Sequence, residues 1–282
     1  MQTVGLVSPG AMGSALADTL VRGGARVVAT LDGRSERSAR LAATAPIELL
    51  PDLAAVVREA EVVLSVVPPE AAPAVAEDVA RAAQEEGAAP LFADLNAISP
   101  ATARGLAGGR LELVDGSISG PPPAKGRTTR VYLSGPRARE IAALPFEGVD
   151  LVVVGDEVGS ASAVKMSTAS VYKGTSVLLL QALHAAHENG VLEHVVADLR
   201  AGAPHLVSNV ERRIAVAASK AHRYAGEMRE IAATQDAAGL TPALFEAMAE
   251  IYERIAETEL AQSNPEDVPQ VRALADVLDG LR

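Results

Sequence analysis

Residues Thr3–Gly13, TVGLVSPGAMG, constrain the fold more than any other part of this chain. A β-branched apolar run ends at Ser8. A turn through Pro9 and Gly10 then opens an Ala-rich apolar stretch that starts Ala11-Met12-Gly13. Strand, tight turn and helix N-terminus in that order make a cradle for a pyrophosphate. The free N–H groups of the first helical turn meet the anion, and glycine lets the backbone come close. The usual motif is G-x-G-x-x-G; Ser8 stands in the place of its first glycine, with Gly10 and Gly13 as the other two.

The chain downstream repeats the same strand-then-helix rhythm. Strands are expected at Thr3–Ser8, Arg26–Leu31, Glu61–Val67, Pro90–Asn96, Leu111–Ile118, Arg130–Ser134 and Asp150–Val154. Helical stretches at Ala11–Arg22, Ser35–Ala43, Glu70–Glu86 and Pro100–Ala107 separate the earlier ones. Such alternation predicts a mostly parallel, doubly wound sheet. Past Glu157 the pattern turns helical, through Ser160–Asn189, Leu192–Ala201, Val207–Ala237 and Pro242–Thr258, with Gly190, Gly202 and Gly239 where C-terminal caps belong. The expected organisation is an α/β dinucleotide-binding domain over 1–157 and an all-α domain over 158–282. The Ser160–Asn189 helix would run ~45 Å at 1.5 Å per residue, longer than a small domain needs, which predicts packing against a second subunit in a homodimer.

Composition narrows the classes of function. The chain has 282 residues, 49% hydrophobic, enough for one large domain or two ordinary ones. A net charge of -11 argues against nucleic acid or an anionic membrane as the main partner. There is no cysteine, which excludes disulfides, thiol nucleophiles and thiolate metal sites. No basic n-region and no membrane-length apolar run is present, so a cytoplasmic protein is expected.

The second strand should end at the residue that meets the adenosine ribose of a dinucleotide. An acidic residue there selects NAD, and a basic neighbourhood accommodates the 2′-phosphate of NADP. Strand counting places Leu31 at the acidic position and Asp32 one residue beyond, on the alternate face. Arg34 and Ser35 follow, a planar donor fork and a hydroxyl suited to a phosphate monoester. Ser35 is equally suited to cap the next helix. The segment favours NADP over NAD. Val67 and Pro68 close the next parallel strand, where proline lines an apolar wall without stranding a donor. Asn96 closes the one after, as a donor to ribose or carboxamide or as a helix-entry residue.

In DGSISGPPPAKG, Ser119 and Gly120 offer a hydroxyl and a backbone N–H to a carboxylate. Lys165 lies two turns into the long helix, sharing a face with Thr168, Ala169 and Tyr172. On its own such a lysine is an ordinary solvated side chain. Beside a hydride-transfer site it would donate a proton to a ketone oxygen, with Lys173 lowering its pKa and Tyr172 as the rival donor.

The ordered set GLVSPGAMG, VVPP, DLNAISP, DGSISG and GSASAVKM resembles the β-hydroxyacid dehydrogenase and 6-phosphogluconate dehydrogenase superfamily over essentially the whole chain. ATLDGRS, DLNAISP and KMSTASVYKG resemble the branch with a DUF1932-type helical C-terminal domain. The resemblance implies a Rossmann-type N-terminal domain, an all-α C-terminal domain with a long dimerisation helix, and a nicotinamide-dependent oxidoreductase acting on a small molecule. It implies cofactor contacts at Ser8, Pro9, Gly10, Ala11, Met12, Gly13, Thr30, Arg34, Ser35, Val67, Pro68 and Asn96. Ser119, Gly120 and Thr168 would meet the substrate, and Lys165 would be the acid/base. The superfamily's Asn four residues after the lysine is Ala169 here, and the second glycine of its substrate loop is Pro121. An imine reductase using Tyr172 and a catalytically silent NADP-binding protein are the alternatives. No metal is expected: His184, His187 and Glu188 have helical spacing but no evident further ligand. Gln235-Asp236 is a weaker lead, where relatives have a Lys-Asp pair.

Overall fold

The computed structural model describes residues 1–262 and 273–281. It divides into two compact units, Met1–Met166 and Ser167–Arg282. The first holds β1 (Thr3–Val7), α1 (Ala11–Arg22), β2 (Arg26–Ala29), α2 (Glu36–Ala43), β3 (Glu48–Leu49), α3 (Leu53–Glu59), β4 (Val62–Ser65), α4 (Ala72–Glu86) and β5 (Leu91–Asp94). It continues with α5 (Pro100–Ala107), β6 (Leu113–Ser119), β7 (Thr129–Ser134), α6 (Ala138–Ala142), β8 (Val149–Gly155) and the start of α7 (Ser160–Glu188).

The strands form one sheet in the order β3-β2-β1-β4-β5-β6-β7-β8, parallel except where β7 runs against β6. The chain builds outward from β1 in both directions, which leaves the ends of β1 and β4 adjacent at a switch point. Period-two alternation sends each central strand's residues to two cores. Val62, Leu64, Leu91 and Ala93 join Leu16, Leu20 and Ile141 on one side, while Val63 and Phe92 join Val57, Val79 and Ala83 on the other. Helix starts follow side-chain chemistry: Ser35, Asp52 and Ser99 accept from the N–H groups of Ser38, Ala55 and Thr102.

The seven expected strands and the helices between them are present, with ends shifted by up to two residues. Sequence reading passed over β3, α3 and α6, each too short to show a period. The second unit holds the rest of α7, α8 (Leu192–Gly202), α9 (Pro204–Val207), α10 (Val210–Ala218), α11 (Ala221–Ala237), α12 (Ala243–Ala256) and α13 (Leu274–Asp279). The single helix expected over Val207–Ala237 is broken twice. Asn209 turns left-handed at φ 51°, and the Ser219 hydroxyl donates back to the Val216 carbonyl at the second break. Gly190 and Gly239 take the left-handed conformation expected of C-terminal caps, whereas Gly202 is the last residue of α8 and Ala203 caps it.

Candidate functional site

Because β1, β2, β4, β5 and β6 are parallel, their C-terminal ends lie along one edge of the sheet. That edge carries Ser8, Thr30, Val67, Asn96 and Ser119 in turn, the place where open α/β sheets put ligands. The sequence-predicted residues of the first unit are thus brought to one side by topology alone.

Ser8 has φ 75°, the left-handed conformation for which the motif ordinarily uses glycine. The Ser14 hydroxyl donates to the Pro9 carbonyl at 2.8 Å and holds the turn closed. A Cβ at Gly13 would run into the Ser8 carbonyl oxygen, so α1 can approach the turn this closely only with glycine there. No side chain caps α1 at Gly10. Its first N–H groups are therefore directed at the open end of the turn.

Beyond β2, the Thr30 hydroxyl accepts from the Asp32 amide and donates to the Pro51 carbonyl, fixing the loop. Ser35 caps α2. Arg34 Nε is enclosed yet has no hydrogen-bond partner. An enclosed donor without an acceptor is costly, and an anion such as a phosphate monoester suits it. The glycine cradle and this orphaned donor both fit a phosphorylated dinucleotide.

At the ends of β4 and β5 the structure changes the reading of Asn96. Its Oδ1 accepts from the Val67 amide at 2.6 Å, and its Nδ2 donates to Ser65 Oγ at 2.9 Å and Asp94 Oδ2 at 2.7 Å. The side chain expected to donate to a ribose or carboxamide is thus engaged within the protein, where it shapes the segment leading to Pro68. Asp94 accepts twice from Asn96 and lies in register with Asp115 on the next strand. Burial pushes the Asp94 carboxyl up to about 7, opposed by its hydrogen bonds from Asn96 and aided by the neighbouring Asp115.

Strand β6 and the start of α7 are laced together. Asp115 Oδ2 accepts from the Gly159 amide at 2.9 Å, the Ser162 amide at 3.1 Å and the Ser134 hydroxyl at 2.8 Å, and Oδ1 accepts from the Ser162 hydroxyl at 2.6 Å. The Ser134 hydroxyl accepts from the Ala161 amide, and Ser117 donates to the Ala161 carbonyl at 2.8 Å. Lys165 Nζ then reaches back to the Ile118 carbonyl at 2.7 Å, one residue before Ser119. Gly120 turns the chain at φ 108°, and Thr129 pins the following loop through the Pro121 carbonyl.

In the second unit, Thr168 is half-buried, Ala169 is buried and the Tyr172 side chain is 71% exposed. Lys173 is ion-paired with Glu227 and lies 4.2 Å from the Tyr224 ring centroid. Its charge is compensated locally by the Glu227 carboxylate. His187 faces Asp279 of α13 rather than His184. Among the described residues no group of three His, Asp or Glu is arranged to hold a metal, and no helix is long and apolar enough to cross a membrane. Sequence reading missed the network of Asp115, Ser134 and Ser162. Its one signal was a carboxylate within the LVDGSIS strand, which demands donors once that strand is buried.

Comparison with known proteins agrees with this geometry. Residues 3–88 match the family described as NADP oxidoreductase coenzyme F420-dependent, and residues 186–255 match a domain of unknown function, DUF1932. An uncharacterized 28.5 kDa protein of Methanothermus fervidus is 26% identical over 170 residues, spanning 59% of this chain and 64% of that protein. Among solved structures, the conserved protein MTH1747 of unknown function, described as structurally similar to 3-hydroxyacid dehydrogenases, is 30% identical with a TM-score of 0.66, covering 90% of this chain and 97% of that one. Mycobacterium tuberculosis 3-hydroxyisobutyrate dehydrogenase, solved with L-serine, shares the fold at 22% identity and a TM-score of 0.66, over 100% of this chain and 99% of that one. With a Rossmann-type sheet followed by a helical DUF1932 region, the chain belongs to the β-hydroxyacid dehydrogenase and 6-phosphogluconate dehydrogenase superfamily.

Proposed function

We propose that this protein is a nicotinamide-dependent oxidoreductase that prefers NADP, acts on a small hydroxy or oxo compound and uses Lys165 to move the proton. The observation that carries the reading is the ammonium of Lys165 held 2.7 Å from the Ile118 carbonyl, beside Ser119 at the same sheet edge as the Ser8–Gly13 turn. When bound, the nicotinamide supplies or accepts the hydride. Ser8–Gly13 would hold the pyrophosphate, Thr30, Arg34 and Ser35 the adenosine ribose and its phosphate, and Val67 and Pro68 the nicotinamide. Asn96 sets that wall in place. Ser119 and Gly120 receive the substrate's polar group, with Thr168 a further hydroxyl one turn beyond Lys165. As a carbonyl is reduced, Lys165 Nζ gives a proton to the oxygen that gains charge; in the reverse direction it takes that proton back. Residues 1–157 serve the cofactor and carry Ser119 and Gly120 of the substrate loop, and 158–282 serve the substrate and a homodimer. The dimer is supported by α7, which leaves Val171 63%, Tyr172 71% and Leu178 65% exposed.

The test is turnover with NADPH and NADH across hydroxy acids, semialdehydes and cyclic imines. Lys165→Ala should lower kcat by ~100-fold or more while leaving NADPH affinity intact. Arg34→Ala should raise the NADPH Kd by ~10-fold or more and leave NADH nearly unchanged, as expected for a lost charge-assisted contact. Full activity of Lys165→Ala would overturn the mechanism in favour of an imine reductase acting through Tyr172. Tight NADPH binding without turnover on any substrate would instead mark a binding protein.

A further inference from the structure

We infer that Asp115 is a positioning residue for Lys165, capping α7 from the neighbouring strand so that the lysine ammonium is delivered to the Ile118 carbonyl; this rests on the reading of Lys165 given above. The first turn of α7 has its donors fully accounted for, and none by a local side chain. Gly159 and Ser162 amides go to Asp115, the Ala161 amide to Ser134 Oγ, and the Ser160 amide to the Glu157 carbonyl. Helices generally cap themselves with the residue just before the first turn. Here the cap comes from β6, 44 positions upstream of Gly159.

Asp115 has no exposure, and its two oxygens accept four hydrogen bonds. Only a carboxylate has that acceptor capacity with no donor of its own. The same strand grips α7 at two further levels. Ser117 donates to the Ala161 carbonyl, and the Ile118 carbonyl receives Lys165 Nζ. Asp115 fixes how far the helix slides, and the Ser117 contact fixes its rotation. With the helix so held, the Lys165 stem carries its ammonium to the Ile118 carbonyl. Disturbing the cap should release Lys165 without touching the cofactor turn at Ser8–Gly13.

Four lysines occur in the chain, Lys125, Lys165, Lys173 and Lys220, so each can be followed separately. The experiment is competitive acetylation with acetic anhydride as a function of pH, read lysine by lysine by peptide mass spectrometry. In Ser162→Ala and Asp115→Asn, Lys165 should label at least ~5-fold faster, its pH profile displaced, with Lys125 unchanged, because only Lys165 loses its restraint. Ser162→Thr keeps the hydroxyl and should restore the wild-type profile. NADPH affinity should stay within ~2-fold, while kcat on any turned-over substrate falls ~10-fold or more, the share a misplaced proton donor accounts for. Unchanged Lys165 labelling in the soluble, folded Ser162→Ala protein would overturn the proposal, as would equal acceleration at Lys125, which would mean general loosening. If Lys165→Ala proves fully active while labelling behaves as described, the functional reading fails and the positioning geometry stands.

Discussion

The side-chain carbonyl of Asn96 receives the Val67 backbone N–H at 2.6 Å, joining the ends of the neighbouring parallel strands β4 and β5. Asn96 thereby satisfies one donor on β4's exit and gives two of its own hydrogens to Ser65 and Asp94. Asn96→Ala leaves an amide, a hydroxyl and a carboxyl without that partner inside the protein. Each orphaned buried group costs about 1–3 kcal/mol, so a loss of ~2–3 kcal/mol in urea unfolding is expected once the site relaxes. NADPH affinity should fall as well, since Val67 and Pro68 lose their anchor. A variant as stable as wild type with unchanged affinity would show that Asn96 does neither.

Ser8 carries a strained backbone where a glycine would carry none. A left-handed conformation costs an L-residue roughly 1–2 kcal/mol, partly offset in Ser8→Gly by ~0.4–1 kcal/mol of added freedom in the unfolded chain. The expected outcome is a gain of about 0.5 kcal/mol in unfolding free energy. Ser8→Val, β-branched, should lose stability instead. Both are read from denaturant midpoints at constant slope, and a Gly variant less stable than wild type would contradict the strain argument.

The buried Asp94 makes stability depend on pH in a direction opposite to most carboxylates. Burial raises its carboxyl to about 7 from the ordinary aspartate value of 3.8. Between those values the folded protein keeps a proton that the unfolded chain releases. Asp94's contribution is therefore full below pH 4, declines as pH rises to 7 and stays at its minimum above, with a slope of at most roughly 1.4 kcal/mol per pH unit. Asp94→Asn removes this dependence. Measured from pH 4 to 8, the stability difference between variant and wild type should shift toward the variant, most of it before pH 7. A constant difference across that range would refute the account.

How much of this was legible beforehand follows from the kind of signal each residue gives. The strand ends at Ser8, Val67 and Asn96 were visible because apolar runs and Gly or Pro punctuation repeat at local spacing. Their shared edge followed from parallel topology. Asp115 and Ser162 were out of reach, since their contact joins residues 47 positions apart and leaves no local pattern. Asn96 shows a different limit: its place at a strand end was visible, but local position does not reveal that its side chain bonds to Val67, Ser65 and Asp94. The breaks at Asn209 and Ser219 were hidden because apolar helical spacing, through Val207, Val210, Ile214, Ala218 and Ala221, continues straight through them.

Lys173 and Glu227 form an ion pair with side chains only 13% and 10% exposed, under the Tyr224 ring and next to Tyr252, whose hydroxyl donates to the Lys173 carbonyl. Burial raises both tyrosines above their ordinary range, so both phenols remain neutral and the pair has no competing anion. Glu227→Gln leaves a buried ammonium without the carboxylate that balances its charge. Removing one partner of such a pair costs about 3–5 kcal/mol, whereas replacing both with apolar groups is often near neutral. Lys173→Met with Glu227→Leu should therefore recover most of the stability lost by Glu227→Gln alone. Thermal and urea unfolding of Lys173→Met, Glu227→Leu and the double variant give the coupling directly. A Glu227→Gln protein within 1 kcal/mol of wild type, a bound set by the ordinary worth of an exposed pair, would mean that water reaches the site and the pair is only a surface contact.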